Sequence, residues 1–217
     1  MFGFPAPILL ALLLNELRSR IFKNVVQSIT YLPHFISVVI VSGMLVDFLA
    51  SDGLINQALQ LLGITPRTFL ILPEWFRTIY VSSDIWQGVG WGSIIYLAAI
   101  AGIDPSLYEA AKTDGAGRFR QMINITIPCI MPTIVIMLIL RFGSLMSGGD
   151  MQKILLLYNS TTYDTADVIS TFVYRRGLLQ MDYGFSAAIG LFNNVINFLL
   201  LVTVNRVSRR VNSSSLW

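Results

Sequence analysis

DPSLYEAAKTDGAGRFRQMINITIPCIMP, Asp104 to Pro132, lies between two long apolar runs and holds the densest local signals in the chain. Asp104 ahead of Pro105 marks a helix start, because a carboxylate can accept from free backbone N–H groups and proline at the first helical position forfeits no bond. Leu107, Ala110 and Ala111 fall at spacings of three and four, on one helical face. Gly115 can adopt the left-handed conformation that closes a helix, and from Ala116 onward Arg118, Phe119, Met122 and Ile123 divide a polar from an apolar face. Pro128 and Pro132 stand at the entry to the next apolar run. The pattern predicts a short helix, a glycine turn and a second short helix in a loop between two membrane helices.

The flanking runs decide the fold class. The chain has 217 residues, 54% hydrophobic and 12% charged, against roughly a quarter charged in soluble domains. Four stretches reach the roughly 20 residues needed to cross a hydrocarbon core: about Val25 to Ala50, Thr78 to Gly102, Cys129 to Met146 and Tyr183 to Val204. Ile123 to Pro128 can extend the third. A fifth, Phe2 to Leu14, is shorter and runs into Asn15, Glu16 and Arg18 with no basic segment before it and no small-residue cleavage site. It is therefore not a signal peptide but the end of a spanning helix that begins before Met1. The expectation is an all-α integral membrane protein, a polytopic bundle with four full spans plus the end of a fifth, forming one domain over residues 1–217.

Basic residues set the orientation. Arg18, Arg20, Lys23, Lys112, Arg118, Arg120, Arg206, Arg209 and Arg210 fall on one side if each run crosses once, against Arg67, Arg77, Lys153, Arg175 and Arg176 on the other; Arg141 lies within a span. The richer side is cytoplasmic, with the loop from Asp104 and the C-terminus, while Ser51 to Arg77 and Ser147 to Asp182 face outward. Leu54, Ala58, Leu61 and Leu62, closed by Gly63, suggest an interfacial helix in the first outward segment. Ser213 to Ser215 read as a frayed end. A net charge of +3, spread this way, forms no patch for nucleic acid. One cysteine, Cys129, and one histidine, His34, exclude an internal disulfide and a histidine metal cluster. Physics alone leaves the Asp104 loop two roles: a docking knob, with Ala110 and Ala111 allowing close approach and Glu109 offering a charge, or an amphipathic loop on lipid headgroups.

Glu109-Ala110-Ala111, three residues, Gly115, nine residues and Ile125-Thr126-Ile127-Pro128 resemble the EAA motif of binding-protein-dependent ABC importer permeases. Asp114 and Ala116 match the sugar-permease form, EAAxxDGA. Ile127 stands for the usual Leu and Met122 for a common Phe; both stay apolar. FGFPAPILLALLLNE from Phe2, YLPHFISVV from Tyr31, the run from Ser83 to Ala111, ILLLYN from Ile154 and ADVIST from Ala166 resemble the polysaccharide and oligosaccharide branch, in a form lacking its N-terminal part. The resemblance implies a type I importer permease in the bacterial inner membrane, with residues 104–127 as its coupling loop. Glu109, Ala110, Ala111, Asp114, Gly115 and Ala116 would then dock on a dimer of ATP-binding subunits. It further implies a second, distinct permease, an extracytoplasmic solute-binding protein and a carbohydrate substrate. No cofactor is expected of this chain, which lacks a GxxxxGK[ST] phosphate loop.

Polar residues within spans mark pathways or helix contacts. Asp84, Gln87 and Trp91, on one helical face, and Asn193, Asn194 and Asn197 form a set suited to sugar, which is held by aromatic faces and by amide and carboxylate hydrogen bonds; interhelical packing is the alternative for each. Asp47 reads as interfacial, His34 after Pro33 as a polar group at a helix bend, and Gly88, Gly90 and Gly92 as sites of close packing or distortion. A membrane-embedded enzyme is disfavoured by the absence of HExxH and GxSxG. A channel or scaffold has only general hydrophobicity in its favour.

Overall fold

A computed structural model describes residues 3–147 and 149–212, and these contain helices and no strand. Phe2 and Ser213 to Ser215 lie outside the described residues. In chain order the helices are α1 (Pro5–Glu16), α2 (Arg20–Tyr31), α3 (Val38–Leu49), α4 (Leu54–Leu61), α5 (Pro73–Ala101), α6 (Pro105–Thr113), α7 (Arg118–Gln121), α8 (Ile127–Gly143), α9 (Met151–Leu157), α10 (Tyr163–Ala166), α11 (Ile169–Tyr174) and α12 (Tyr183–Asn212). Two π turns, Met122–Thr126 and Arg175–Leu179, join α7 to α8 and follow α11.

The backbone packs into two units. One comprises the chain up to Phe35, Asp84–Gly143 and the residues from Leu199. Its core is Ala11, Leu12, Tyr96, Ile100 and Ile130, with Ile8, Leu97 and Ile134 packed around it. α5 comes close to the end of α2 at Gly90, where an added Cβ would sit 2.0 Å from the Thr30 carbonyl oxygen. At Gly92 a Cβ would meet the Pro7 ring at 3.0 Å, and at Gly88 nothing within 4 Å. Close packing therefore explains Gly90 and Gly92 but not Gly88.

The other unit comprises Ile36–Ser83 and Ser144–Phe198. Phe76, Ile154, Leu157 and Ala166 form its core. The segment from Asn159 to Thr165 is laced to the start of α5: Asn159 Nδ2 donates to the Leu70 carbonyl (2.9 Å), Thr161 to Ile71 (3.0 Å) and Thr165 to Pro73 (3.0 Å). Asn56, fully buried, donates to the Ala50 and Arg67 carbonyls and accepts from Arg67 N–H. These bonds satisfy the amide, as burial requires. Lys153 is also buried, at 1% exposure, with its ammonium 5.6 Å from the centroid of the Tyr80 ring. Its place directly before the apolar run Ile154 to Leu157 is a signal that a charge count alone passes over.

Three helical stretches are long and apolar enough to cross a membrane, Val38–Leu61, Arg118–Gly143 and Tyr183–Arg209, and a fourth if α5 and α6, bent by 70°, count together. One expectation is corrected here. The run from Val25 to Ala50 is not one helix: α2 stops at Tyr31, Leu32–Phe35 forms a tight turn, and the Ser37 hydroxyl caps α3 by accepting from Val39 N–H. Pro33 has no N–H to continue the ladder, so the helix ends there. The second short helix expected after the glycine turn is present as α7, which leads through the π turn Met122–Thr126 into α8. Arg118 onward is already part of the continuous stretch to Gly143, which carries Pro128 and Pro132 within it.

Exposure follows a membrane pattern. Along α12, Leu191, Phe192, Phe198 and Leu199 are all exposed. On α4, Leu54, Leu61 and Leu62 face outward while Asn56 is buried, and Gly63 closes the helix at φ +76. The helix read from spacing is therefore present. Apolar surface on this scale needs a nonaqueous neighbour, since each Å² left in water costs roughly 25 cal/mol.

Candidate functional site

α6 begins where α5 bends away. Asp104 caps it by accepting from Ser106 N–H at 2.9 Å, and Pro105 occupies the first turn. Those bonds from Ser106 hold the Asp104 carboxyl below the usual carboxylate range. At the other end Gly115 has φ +75; its N–H donates to Lys112 (3.0 Å) while Ala116 N–H reaches back to Ala111 (2.8 Å). This pair of bonds is the Schellman closure, for which a left-handed residue is required. The glycine-turn expectation holds, and the reason is backbone alone, since a Cβ at Gly115 would meet nothing within 4 Å.

The six motif residues divide by exposure. Glu109, Ala110, Asp114 and Gly115 are exposed, and Ala111 and Ala116 are half-buried, lining a cleft of about 200 Å³ with Arg120 and Asn124. Ala111 thus serves the closure of the turn, and the face open to solvent includes Glu109 and Ala110 with Leu107, itself 45% exposed. Three bonds brace the loop. Tyr108 Oη and Thr126 Oγ1 are 2.9 Å apart, Gln121 Nε2 donates to the Ala116 carbonyl at 2.7 Å, and Arg118 donates to the Glu16 carbonyl at 3.2 Å. Sequence reasoning missed Tyr108, although it directly precedes Glu109.

Of the polar span residues, Asp84, Gln87 and Trp91 lie on α5 in the first unit. Asp84 and Trp91 are exposed and Gln87 is half-buried. Trp91 stacks on His34, with centroids 4.7 Å apart and planes 4° from parallel, and Phe35 meets it edge-on at 5.7 Å. His34 does sit at a helix bend; its stacking on Trp91, 57 positions away, is beyond local sequence signals. Asn193, Asn194 and Asn197 lie on α12 in the second unit. Asn197 Oδ1 accepts from Met146 N–H at 3.1 Å, a packing role, and Asn194 is exposed. Asn193 Oδ1 is buried without a hydrogen-bond partner and its residue borders a cavity of about 550 Å³ lined also by Met146, Asp167, Phe172 and Phe192. Asp167 on that lining pairs with Arg175 through both guanidinium nitrogens, which holds its carboxyl below the ordinary range.

Long apolar helices with outward-facing hydrophobic side chains, interrupted by a braced polar loop, define a polytopic membrane component. The chain belongs to the family described as binding-protein-dependent transport system inner membrane component, which matches residues 3–213. It has the type I ABC importer permease fold and is a transport permease, not an enzyme. It is 44% identical over 215 residues to the polygalacturonan/rhamnogalacturonan transport system permease protein YteP of Bacillus subtilis (strain 168), covering 99% of this chain and 67% of that one. Protein LplB of the same organism is 41% identical over 218 residues, covering 100% of this chain and 68% of the relative. A chain in the crystal structure of a bacterial alginate ABC transporter, in complex with alginate pentasaccharide-bound periplasmic protein, is 48% identical with a TM-score of 0.97, covering 100% of this chain and 75% of that one.

Proposed function

We propose that this chain carries an oligosaccharide or polysaccharide fragment across the inner membrane by alternating access, driven by ATP hydrolysis in a separate subunit that docks on α6. The observation that carries the coupling assignment is the form of α6: a helix capped at both ends, at a 70° bend, presenting Glu109 and Ala110 to solvent. A helix so closed can be pushed as a body, which rigid-body switching needs. Four spans with residues 104–127 and the C-terminus in the cytoplasm agree with the placement of basic residues. Relatives named for galacturonan and a neighbour named for alginate support the carbohydrate assignment.

The partners of this reading are a dimer of ATP-binding subunits, a second permease and an extracytoplasmic solute-binding protein. Asp84, Gln87 and Trp91, and Asn193, Asn194 and Asn197, are the proposed pathway residues. Trp91 offers an exposed aromatic face and Asn193 an unused acceptor beside a cavity, both apt for sugar hydroxyls and ring faces. Co-purification with candidate ATP-binding subunits tests the docking. Glu109→Arg should weaken association at least about tenfold, as reversal of a docking charge does, whereas association unchanged by both Glu109→Arg and Gly115→Val would sink the assignment. ATP-dependent uptake of labelled oligosaccharide into vesicles tests the substrate class, and transport of other solutes in its place would overturn it.

A further inference from the structure

The docking assignment leaves a mechanical gap. α6 has nine residues, and it joins α5 across a bend and α8 across the turn at Gly115 to Gly117. A chain that turns at glycines transmits little thrust along its backbone. The structure contains a second link that bypasses the turn. Tyr108 projects from α6, one residue before Glu109, and its hydroxyl lies 2.9 Å from Thr126 Oγ1. Thr126 is 1% exposed and is the last residue of the π turn, directly before Ile127 opens α8.

We propose that Tyr108 and Thr126 form a strut that passes displacement of α6 to the base of α8, a positioning role that rests on the docking reading above. Three properties suit the pair to it. The tyrosine ring is stiff, with two rotatable side-chain bonds, so it carries force with little loss to rotamer change. The bond is buried at its threonine end, where water cannot take the place of a lost partner. Thr126 closes a turn of π register, so a push there enters α8 at its first residue. Of the other two braces, Gln121 to the Ala116 carbonyl starts beyond Gly115 and does not reach α6, and Arg118 to Glu16 is weaker: the side chains are 54% and 35% exposed and 3.8 Å apart at the charged atoms, a setting in which an ion pair contributes little.

The test uses the chain assembled with its ATP-binding and permease partners in proteoliposomes, supplied with solute-binding protein and ATP, and reads substrate imported per ATP hydrolysed. Tyr108→Phe keeps the ring, Thr126→Val keeps the volume and Thr126→Ser keeps the hydroxyl. The first two should assemble normally yet import about two- to tenfold less per ATP, the factor one hydrogen bond corresponds to. The double variant should be no worse than either, and Thr126→Ser should retain the native ratio. A native ratio in both Tyr108→Phe and Thr126→Val overturns the strut, as does a fall in assembly that tracks transport with the ratio unchanged. Neither result touches the docking assignment, which stands or falls on the loss of association in Glu109→Arg.

Discussion

Gly88 and Gly90 lie two residues apart on α5, yet the same substitution should move stability in opposite directions. Alanine in place of a mid-helix glycine gains roughly 1 kcal/mol of helix propensity. At Gly88 nothing opposes that gain, because a Cβ meets no atom within 4 Å. At Gly90 the Cβ would lie 2.0 Å from the Thr30 carbonyl oxygen, and main chain yields less readily than a side chain, so overpacking of about 1–3 kcal/mol outweighs it. Thermal unfolding in detergent should rank Gly88→Ala above the native protein and Gly90→Ala below it; equal midpoints would contradict the packing argument. The alternating glycines were legible as a packing signal, but the one that matters was not, since its neighbour is 60 positions away. A second residue-scale prediction concerns Asp167. Arg175 depresses its pKa in the folded protein, so the pair's stabilisation is present above the unfolded carboxylate value of about 3.9 and is lost as pH falls through the lower folded value. The protection of α11 amides, the intrinsic rate divided by their exchange at each pH, should therefore be flat near neutrality and fall in acid, and Asp167→Asn should be less protected at neutral pH with the acid response removed.

Elements show where periodicity reads well and where it stops. The two glycine-closed helices, α4 and α6, were legible because capping and closure are local: Gly63 and Gly115 both take positive φ where the spacing ends. Breaks inside apolar runs were not, because hydrophobicity is indifferent to whether the ladder continues. Pro33 ended a helix that composition alone would have carried to Ala50, whereas Pro128 did not end one. The difference lies in the register. In an α turn the Pro128 ring would press on the Asn124 carbonyl, four residues back; the π turn, in which Ile127 N–H reaches Met122, widens the helix just before the proline. If the proline holds the π turn, Pro128→Ala should let Met122–Thr126 relax toward α register. Slower amide exchange over those five residues is the expected readout, and unchanged exchange would mean the turn is held by its surroundings, Tyr108 among them.

At the scale of the whole molecule, the membrane class was legible from hydrophobic content, and the outward side chains of α4 and α12 bear it out. What composition could not supply was the number of crossings, since a run such as Val25 to Ala50 counts as one span whether or not its backbone is continuous. The proposed topology can be tested independently of that break. Among the described residues, the one stretch long and apolar enough to cross between the proposed coupling loop and the segment around Thr161 is Arg118–Gly143, so one crossing puts these on opposite faces. With the exposed Cys129 replaced by alanine, Lys112→Cys should react with a membrane-impermeant maleimide only after the cells are permeabilised, and Thr161→Cys should react in intact spheroplasts. Arg18→Cys should behave like Lys112→Cys if the broken run and α5 each cross once. Labelling of Arg18→Cys from outside, with the other two as expected, would mean that one of the two, the run α2 to α4 or α5, fails to cross, and the positive-inside reading would then hold for the later half of the chain alone. Labelling of Lys112→Cys from outside would remove α6 from the reach of any cytoplasmic ATP-binding subunit and end the coupling proposal.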